Sequence, residues 1–259
     1  MTPNDYSPFF PVKTNRDVLI FRIASDEALV VGCDSAGGIG PKPLDKIKVD
    51  ALTLGKFTAR AALMEVLAAG ANPICIVDTL GVEPEPAGRE ILSGIQAEAA
   101  QAGLDPERAV TGSTEKNIPV EQTGIGVTVI ATCKLAQLKI GAAQPNDIVA
   151  AVGVPCVGEE VVPAEEAGEI ADTADMMQLR GASFIHELIP VGSMGIKRET
   201  QTLAEGANLS FTMLTQHVVN VVKSAGPATV ILTALAENEV TNLKRLTNKP
   251  VSIVAQLHL

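Results

Sequence analysis

Two kinds of hydrophobic pattern alternate along the chain: short β-branched runs and longer segments with helical spacing. Apolar residues three or four positions apart predict helices from Thr53 to Gly70 and from Ala87 to Ala102. The β-branched runs of the first half predict strands over residues 17–23, 28–33, 73–80 and 124–133. Because a polar turn at residues 25–27 separates the first two of these strands, we expect them to pair as a hairpin.

The same mixture of patterns starts again beyond Leu138. It predicts strands over residues 147–152, 185–191, 228–232 and 251–255, and helices over residues 171–179 and 195–204. Strands and helices in both halves indicate the α/β (α+β) fold class. We therefore expect two domains, residues 1–136 and residues 137–259, with the boundary inside the segment 136–146.

The segment 34–43 interrupts the pattern with three glycines and two prolines, so we expect a loop without regular structure. Gly38 and Gly40 would let the backbone approach a ligand closely and point its N–H groups at an anion. Lys42 adds a positive charge suited to phosphate, and Asp34 is placed to hold an accompanying magnesium ion. The spacing matches neither a Walker A loop nor a dinucleotide-binding fingerprint, so a glycine-rich surface loop is the alternative.

Two further segments combine acidic and small polar residues. Glu65 is the one acidic residue on an otherwise apolar helical turn, and Asp78 ends a predicted strand, where the ligand sites of α/β folds collect. The polar cluster at Gly112, Thr114 and Glu115 could complete a shell of oxygen ligands around magnesium and phosphate. The alternatives are a solvated helix face for Glu65 and a polar turn for the cluster.

His186 lies in an apolar predicted strand, directly before Glu187. A histidine beside a carboxylate can act as a general base, but in such a strand it is more often structural. The sequence contains no G-x-S-x-G turn of a serine hydrolase and no zinc-ligand spacing. It therefore leaves the catalytic residues unknown.

The composition favours a folded protein whose cysteines are reduced. The 259 residues are 46% apolar and 19% charged, which argues against disorder, and a chain of this length folds without disulfides or metals. Only 3% of the residues are aromatic, so Ala, Val, Ile and Leu must form the core. Cys33, Cys75, Cys133 and Cys156 are too widely spaced for a metal site, and we expect them to be buried, reduced thiols.

The formal net charge of −10 argues against nucleic acid as a partner, because a surface of that sign repels phosphate backbones. The same charge repels anionic membranes, and the longest apolar runs fall short of the roughly 20 residues of a membrane span. Residues 1–5 have neither the basic nor the apolar region of a secretory signal. We therefore expect a cytoplasmic protein that binds a small molecule, with no nucleic-acid and no membrane partner.

Taken in order, these segments resemble the aminoimidazole ribonucleotide (AIR) synthase-like superfamily, which includes thiamine-monophosphate kinase, selenophosphate synthetase, a hydrogenase maturation protein and α-ribazole kinase. Asp34 with residues 38–42 resembles its Asp-Gly-Val-Gly-Thr-Lys segment, with two extra residues and Pro41 in place of threonine. Residues 55–65 with 70–73 resemble the helix that follows. Similar segments continue in the family's order at residues 76–78, 92–95, 111–114, 124–129, 145–147 and 224–227. The resemblance spans nearly the whole chain.

The resemblance implies a two-domain fold whose N-terminal sheet pairs with that of a second copy, giving a homodimer. It implies ATP and Mg²⁺ as cofactors, with ATP bound close to that interface. Carried over residue by residue, Asp34 and Glu65 are the best candidates for metal ligands, and Asp78 and Glu115 are possible substitutes. The candidates for holding ATP are Gly38, Gly40, Lys42, Gly112 and Thr114.

Departures from the family pattern narrow the implied function. Phe57 stands where the family has an aspartate, and Ser113 replaces an acid, so the site has fewer acids than a kinase centre with two or three magnesium ions. The glycine-rich N-terminal segment of AIR synthase is missing, as are the reactive cysteine elements of selenophosphate synthetase and of the hydrogenase maturation protein. The compact length and residues 187–193 most resemble an α-ribazole kinase of cobalamin biosynthesis.

The resemblance therefore implies a kinase that transfers phosphate from ATP, with Mg²⁺, to a hydroxyl of a small molecule. The first choice of acceptor is α-ribazole, the lower-ligand nucleoside of cobamides, and the second choice is thiamine monophosphate. Because acids are missing at Phe57 and Ser113, a catalytically inactive ATP-binding or scaffold homologue is the alternative from another functional class.

Overall fold

The first half of the chain forms a mixed six-stranded sheet. The computed structural model describes residues 11–12, 14–214 and 219–259. In spatial order, the strands are β1 (Pro11–Val12), β2 (Val18–Arg22), β3 (Glu27–Gly37), β8 (Gly124–Lys134), β6 (Asn72–Leu80) and β7 (Val110–Thr114). β2 and β3 pair antiparallel with Leu19 opposite Val31, which confirms the predicted hairpin. The short strands β4 (Ile39–Gly40) and β5 (Ile47–Lys48) form a separate parallel pair.

Two long helices, α1 (Ala51–Ala68) and α2 (Arg89–Gln101), cover one face of this sheet, and both confirm predicted helices. α1 begins at Asp50, whose carboxylate accepts a hydrogen bond from the Thr53 N–H at 2.7 Å. Where the helices cross, Gly55 is required, because a Cβ there would stand 2.0 Å from the carbonyl oxygen of Ile91. The short helix α3 (Pro106–Ala109) leads from α2 into β7.

The second half forms a five-stranded antiparallel sheet. In spatial order, its strands are β10 (Ile185–Pro190), β12 (Ile231–Leu235), β9 (Ile148–Val152), β13 (Val251–His258) and β11 (Ser210–Met213). The helices of this half are α4 (Val161–Glu166), α5 (Thr173–Arg180), α6 (Gly195–Gly206) and α7 (Val240–Leu246). β9 and β12 are buried along their whole length, because α6 covers one face of the sheet and α5 with the first half covers the other.

The structure corrects two of the predicted loop regions. β3 continues through Asp34 to Gly37, where we predicted an irregular loop, because its pairing with β8 extends as far as Gly37 opposite Gly124. Gly112 and Thr114 do not lie in a polar turn, since both belong to β7, which pairs parallel to β6. Pairing with a neighbouring strand thus overrides the local preference of glycine and hydroxyl residues for turns.

A buried arginine before β2 joins the two halves of the chain. Arg16 donates to Glu187 Oε1 at 3.1 Å and to the Leu188 carbonyl oxygen at 2.7 Å, both on β10. The Glu187 carboxylate also accepts three N–H groups of residues 141–143 at 2.8–3.0 Å, in the segment that connects the two sheets. The Arg16 and Glu187 side chains are almost fully buried.

Arg60 of α1 makes a second connection. Its Nη2 atom lies 2.9 Å from Glu98 Oε1 on α2 and 2.8 Å from Glu165 Oε1 on α4. Thr173 of α5 donates a further hydrogen bond to Glu98. We refer to the two arginine clusters together as the seam, defined by the residues Arg16, Arg60, Glu98, Glu165 and Glu187.

The cysteines are free thiols throughout the part of the chain that the structure describes. Cys133 and Cys156 are buried as predicted, but Cys33 is exposed and Cys75 partly exposed, because both lie on the face of the first sheet opposite the helices. Every helix of the described residues is too short or too polar to cross a membrane.

Candidate functional site

A cavity of about 700 Å³ opens between the two sheets, and we refer to it as the main cavity. One wall comes from the end of β3 and from α1 positions spaced three or four residues apart, Leu54, Thr58, Ala61 and Glu65. The opposite wall comes from three segments of the second half, residues 157–162, 190–193 and 226–228. Most of this lining is aliphatic.

Gly32 brings β3 and α1 together next to two residues of the main cavity, Asp34 and Glu65. A Cβ on Gly32 would lie 3.2 Å from the Ala62 carbonyl oxygen and 3.4 Å from Glu65 Cβ. Because alternate residues of a strand share a face, Asp34 points to the same side, about 7 Å further along β3. The structure therefore brings Asp34 and Glu65, two of the four predicted metal ligands, into one cavity.

Both carboxyl groups lie in surroundings that disfavour their charge. Burial raises the pKa of Glu65 to about 8, with Asp17, Glu199 and Asp34 adding to the shift and Arg16 opposing it. Burial also raises the pKa of Asp34 above its ordinary value. Within the described residues, neither carboxylate forms an ion pair. The two groups are thus partly buried acids outside any ion pair, and the Arg16 charge offsets only part of the shift at Glu65.

Acids are the only charged residues in the described lining of the main cavity: Asp17, Asp34 and Glu65. A polyanion can enter such surroundings only together with cations, because its charges would otherwise repel these carboxylates. The aliphatic walls suit a neutral or cationic organic group.

The donor set fits a magnesium ion that arrives with phosphate. Mg²⁺ is usually held by one or two carboxylates, with waters and substrate phosphates as its other ligands, and Asp34 and Glu65 supply two carboxylates. A bound cation would also favour the charged form of both groups. A metal held by the protein alone does not fit, since no cluster of three or more His, Cys, Asp and Glu side chains suited to a metal occurs among the residues that are described.

Asp78 does not line the main cavity. It is only 3% exposed and faces Gly112 on the neighbouring strand, where an added Cβ would stand 2.2 Å from the Asp78 carboxylate. Burial raises the pKa of Asp78 to about 6. Gly112 therefore makes room for Asp78, and the roles of these two residues toward metal and ATP stay predictions.

The predicted phosphate segment lies at the end of the first sheet that borders the main cavity. Ile39 lines this cavity, whereas the flanking Gly38 and Gly40 do not, and both glycines adopt a positive φ, 71° and 140°. Lys42 is paired with Glu83, and this contact lowers the pKa of Glu83 to about 2. A phosphate bound here would have to draw Lys42 away from Glu83.

Thr114 and Glu115 lie at the same end of the sheet, outside the lining of the main cavity. The Glu115 carboxylate accepts hydrogen bonds from the N–H groups of Asn117 at 2.7 Å and Ile118 at 3.1 Å. These bonds lower the pKa of Glu115. Both bonds go to Glu115 Oε1, which therefore holds its own loop in place, and a role in metal binding would fall first to the other carboxylate oxygen.

His186 contacts a carboxylate of the second half of the chain and lies away from the main cavity. Its Nδ1 atom lies 2.8 Å from Asp147 Oδ2, at the start of β9, and the histidine does not line the main cavity. Of the two roles that the sequence allows, the geometry therefore favours the structural one.

Sequence reasoning missed two acids that surround Glu65. Asp17 precedes β2 and Glu199 lies on α6, so only the folded chain brings them near the carboxylate. Phe57, the departure from the family's acid, lines the main cavity and carries the Arg60 guanidinium 4.7 Å from its ring centre. Where the resemblance implies an aspartate, the cavity thus has an apolar wall.

Comparisons with known proteins agree with this architecture. Residues 15–134 match the family described as AIR synthase related protein, N-terminal domain. Comparison with curated protein sequences finds no match.

Solved structures share the fold across nearly the whole chain. A structure of a HypE–HypF complex is 13% identical, covers 99% of this chain and 90% of the other, and has a TM-score of 0.68. Thiamine-monophosphate kinase from Stenotrophomonas maltophilia is 16% identical, with coverages of 98% and 90% and a TM-score of 0.63.

PurL from Thermotoga maritima, complexed with ADP, is 15% identical with a TM-score of 0.64. The match covers 97% of this chain but only 43% of PurL. The family match over residues 15–134 and the fold shared with these structures agree with the resemblance found in the sequence, and the chain has an AIR synthase-like fold.

Proposed function

We propose that this protein is an ATP- and Mg²⁺-dependent kinase that phosphorylates a hydroxyl of a small molecule. The observation that carries the proposal is the placement of Asp34 and Glu65, two partly buried acids that form no ion pair among the described residues, in one cavity between the sheets. Such a pair would suit a magnesium ion that arrives with phosphate, to which it would supply carboxylate ligands. The structural neighbours support it, since one is a thiamine-monophosphate kinase and PurL has been solved with ADP and with ATP.

The protein's part in this reaction is positioning and charge balance. Asp34 and Glu65 would hold Mg²⁺, which neutralises the charge that develops on a transferred phosphoryl group. Gly38, Gly40 and Lys42, at the border of the main cavity, would hold the phosphates once Lys42 exchanges Glu83 for them. The aliphatic walls exclude water and hold the organic part of the acceptor, so that its hydroxyl faces the phosphate.

The lining of the main cavity supports α-ribazole as the acceptor ahead of thiamine monophosphate. α-Ribazole is a neutral nucleoside with an apolar ring system, whereas thiamine monophosphate carries a phosphate that calls for a basic group. The described lining contains no basic residue. We therefore propose a role in the salvage of the cobamide lower ligand, with thiamine monophosphate, whose phosphate and not a hydroxyl would accept the phosphoryl group, as the second candidate.

Incubation with labelled ATP, Mg²⁺ and each acceptor in turn tests this function. We expect label transfer to α-ribazole, lost in Asp34→Asn and kept in Glu27→Gln, which changes a half-exposed acid at the far end of the same strand. Transfer to thiamine monophosphate alone would reverse the order of acceptors. Transfer to neither acceptor, with ATP still bound, would favour the inactive scaffold homologue.

We further propose that two copies pair through the first sheet. Its face opposite α1 and α2 carries an apolar row across four strands, in which Leu19 lies opposite Val31, Val31 opposite Ile130, and Ile130 opposite Cys75. Leu19 is 56% exposed in the single chain. An exposed apolar sheet face of this kind is a liability unless a second surface covers it.

Light scattering tests the homodimer directly. We expect the mass of two chains for the wild type and of one chain for Val31→Lys, which places a charge in the apolar row. A wild-type mass of one chain at all concentrations would overturn the homodimer. The far-ultraviolet circular dichroism of Val31→Lys should match the wild type, since the substitution lies outside the buried core.

A further inference from the structure

The main cavity continues past Asp17 and Glu65 into a smaller cavity of about 190 Å³, which we call the annex. Asp17 and Glu65 line both cavities. The polar side chains that line only the annex come from the segment before β2 and from α6, and they are Asn15, Arg16, Arg198, Glu199 and Thr202. The annex has room for about six water molecules, or a group of similar size.

Arg16, which lines the annex, has a buried donor without a partner among the described residues. The Arg16 side chain is 2% exposed, and its Nε–H has no hydrogen-bond partner in the described structure, although its other nitrogens bind Glu187 and Leu188. A buried donor without a partner costs free energy, so its persistence indicates a site for a ligand or water. Glu65 adds an acceptor that likewise has no hydrogen-bond partner among the described residues.

The mixture of groups selects the kind of ligand. Phosphates and carboxylates only accept hydrogen bonds, so beside Arg16 and the exposed Arg198 they would still leave three acids, Asp17, Glu65 and Glu199, facing a further negative charge. An ammonium group only donates, so it would leave the Arg16 Nε–H unpaired. Hydroxyl groups donate to carboxylates and accept from guanidinium groups, and they satisfy both sets at once.

We propose that the annex binds the hydroxyl-bearing part of the acceptor, a sugar or other polyol, while the apolar ring of the same molecule occupies the main cavity. The proposal rests on the proposed function, because it takes this molecule to be the one that is phosphorylated. Glu199 and Thr202, three residues apart on α6 and therefore on one helix face, are then specificity-determining residues.

Calorimetric titration without ATP tests the annex independently of catalysis. The probes are α-ribazole and adenosine, each compared with its free base. We expect the wild type to bind at least one nucleoside about tenfold or more tightly than its base, because hydroxyls reach charged partners in the annex. Glu199→Gln and Thr202→Val should each reduce this preference severalfold or more, with little change in the affinity for the base.

Glu205→Gln is the matched control, since Glu205 is exposed at the end of the same helix and should leave the preference unchanged. The proposal is overturned if no nucleoside binds more tightly than its base, or if the annex variants weaken base and nucleoside equally. A nucleoside preference that depends on Glu199, without label transfer from ATP, would retain the annex and overturn only the kinase function.

Discussion

The carboxylates of Glu98 and Glu187 in the seam are fully buried and those of Asp34 and Glu65 in the main cavity are partly buried, but only the seam carboxylates form ion pairs with arginines. Glu98 and Glu187 each contact a guanidinium group, and Glu187 accepts three backbone N–H groups as well. Asp34 and Glu65 form no ion pair among the described residues. The fold thus pairs the seam carboxylates with its own arginines, whereas it leaves Asp34 and Glu65 outside any ion pair.

The consequence for each region follows from electrostatics. A buried ion pair is costly to break, because removing one partner leaves the other charge uncompensated. A buried acid without a partner instead costs stability whenever it ionises, and it gains from any cation that binds. The seam therefore holds the two halves together, whereas ionised Asp34 and Glu65 would cost stability that a bound cation could restore.

The largest expected effect comes from breaking the seam. Arg60→Met should lower the free energy of unfolding by about 3–5 kcal/mol, since Glu98 would stay buried without its cation. Urea unfolding monitored by circular dichroism measures the change. Arg89→Met is the control, because Arg89 is 70% exposed in its pair with Glu85 and should cost about 1 kcal/mol or less. Equal losses in both variants would contradict a structural role for the seam.

Substitution of Glu65 is expected to raise the free energy of unfolding, whereas substitution of Arg60 lowers it. Its pKa of about 8 in the folded protein lies above the ordinary value of 4.5, so the folded state keeps a proton that the unfolded chain releases between these pH values. The free energy of unfolding should therefore fall as pH rises through this window and level off above pH 8. Glu65→Gln should remove this dependence and stabilise the protein at pH 8 by on the order of 3 kcal/mol.

Urea titrations of the wild type and Glu65→Gln from pH 5 to pH 9 measure this difference, with Glu27→Gln as the control. Because other acids also titrate, the quantity to compare is the difference between variant and wild type at each pH. A constant difference across the range would show that Glu65 ionises normally in the folded state.

The fold was more predictable from the sequence than the site. Periodicity located the hairpin, α1 and α2, because these elements bury one face and keep a regular spacing. It missed β11 and α7, which are short, and it placed β12 three residues early, because the apolar run of this buried strand has no alternation to fix its ends.

The site depended on contacts between distant parts of the chain. Asp34 and Glu65 stand out in the sequence as acids beside glycines or within an apolar helix. Nothing in the local sequence shows that Asp17 and Glu199 surround Glu65, because these residues meet only when α6 packs near the end of the first sheet. Nor does the sequence show that Lys42 is engaged by Glu83.

The smallest expected effect on stability concerns this pair. Lys42→Met should change the free energy of unfolding by about 1 kcal/mol or less, since Lys42 and Glu83 are partly exposed. If Lys42 holds phosphate, the same substitution should weaken ATP binding about tenfold, because a charge-assisted hydrogen bond is lost. Lys46→Met, in the same segment, is the control for a general loss of positive charge. Equal ATP affinities in wild type and Lys42→Met would remove Lys42 from the site.

The central claim, that Asp34 and Glu65 await a magnesium-bound nucleotide, is tested most directly by the melting temperature with ATP, with and without Mg²⁺. We expect ATP to raise the melting temperature of the wild type and of Glu27→Gln only when Mg²⁺ is present, since a ligand that binds the folded state stabilises it. Asp34→Asn and Glu65→Gln should fold but lose most of this rise. A full Mg²⁺-dependent rise in both of these variants, or none in the wild type, would contradict the account.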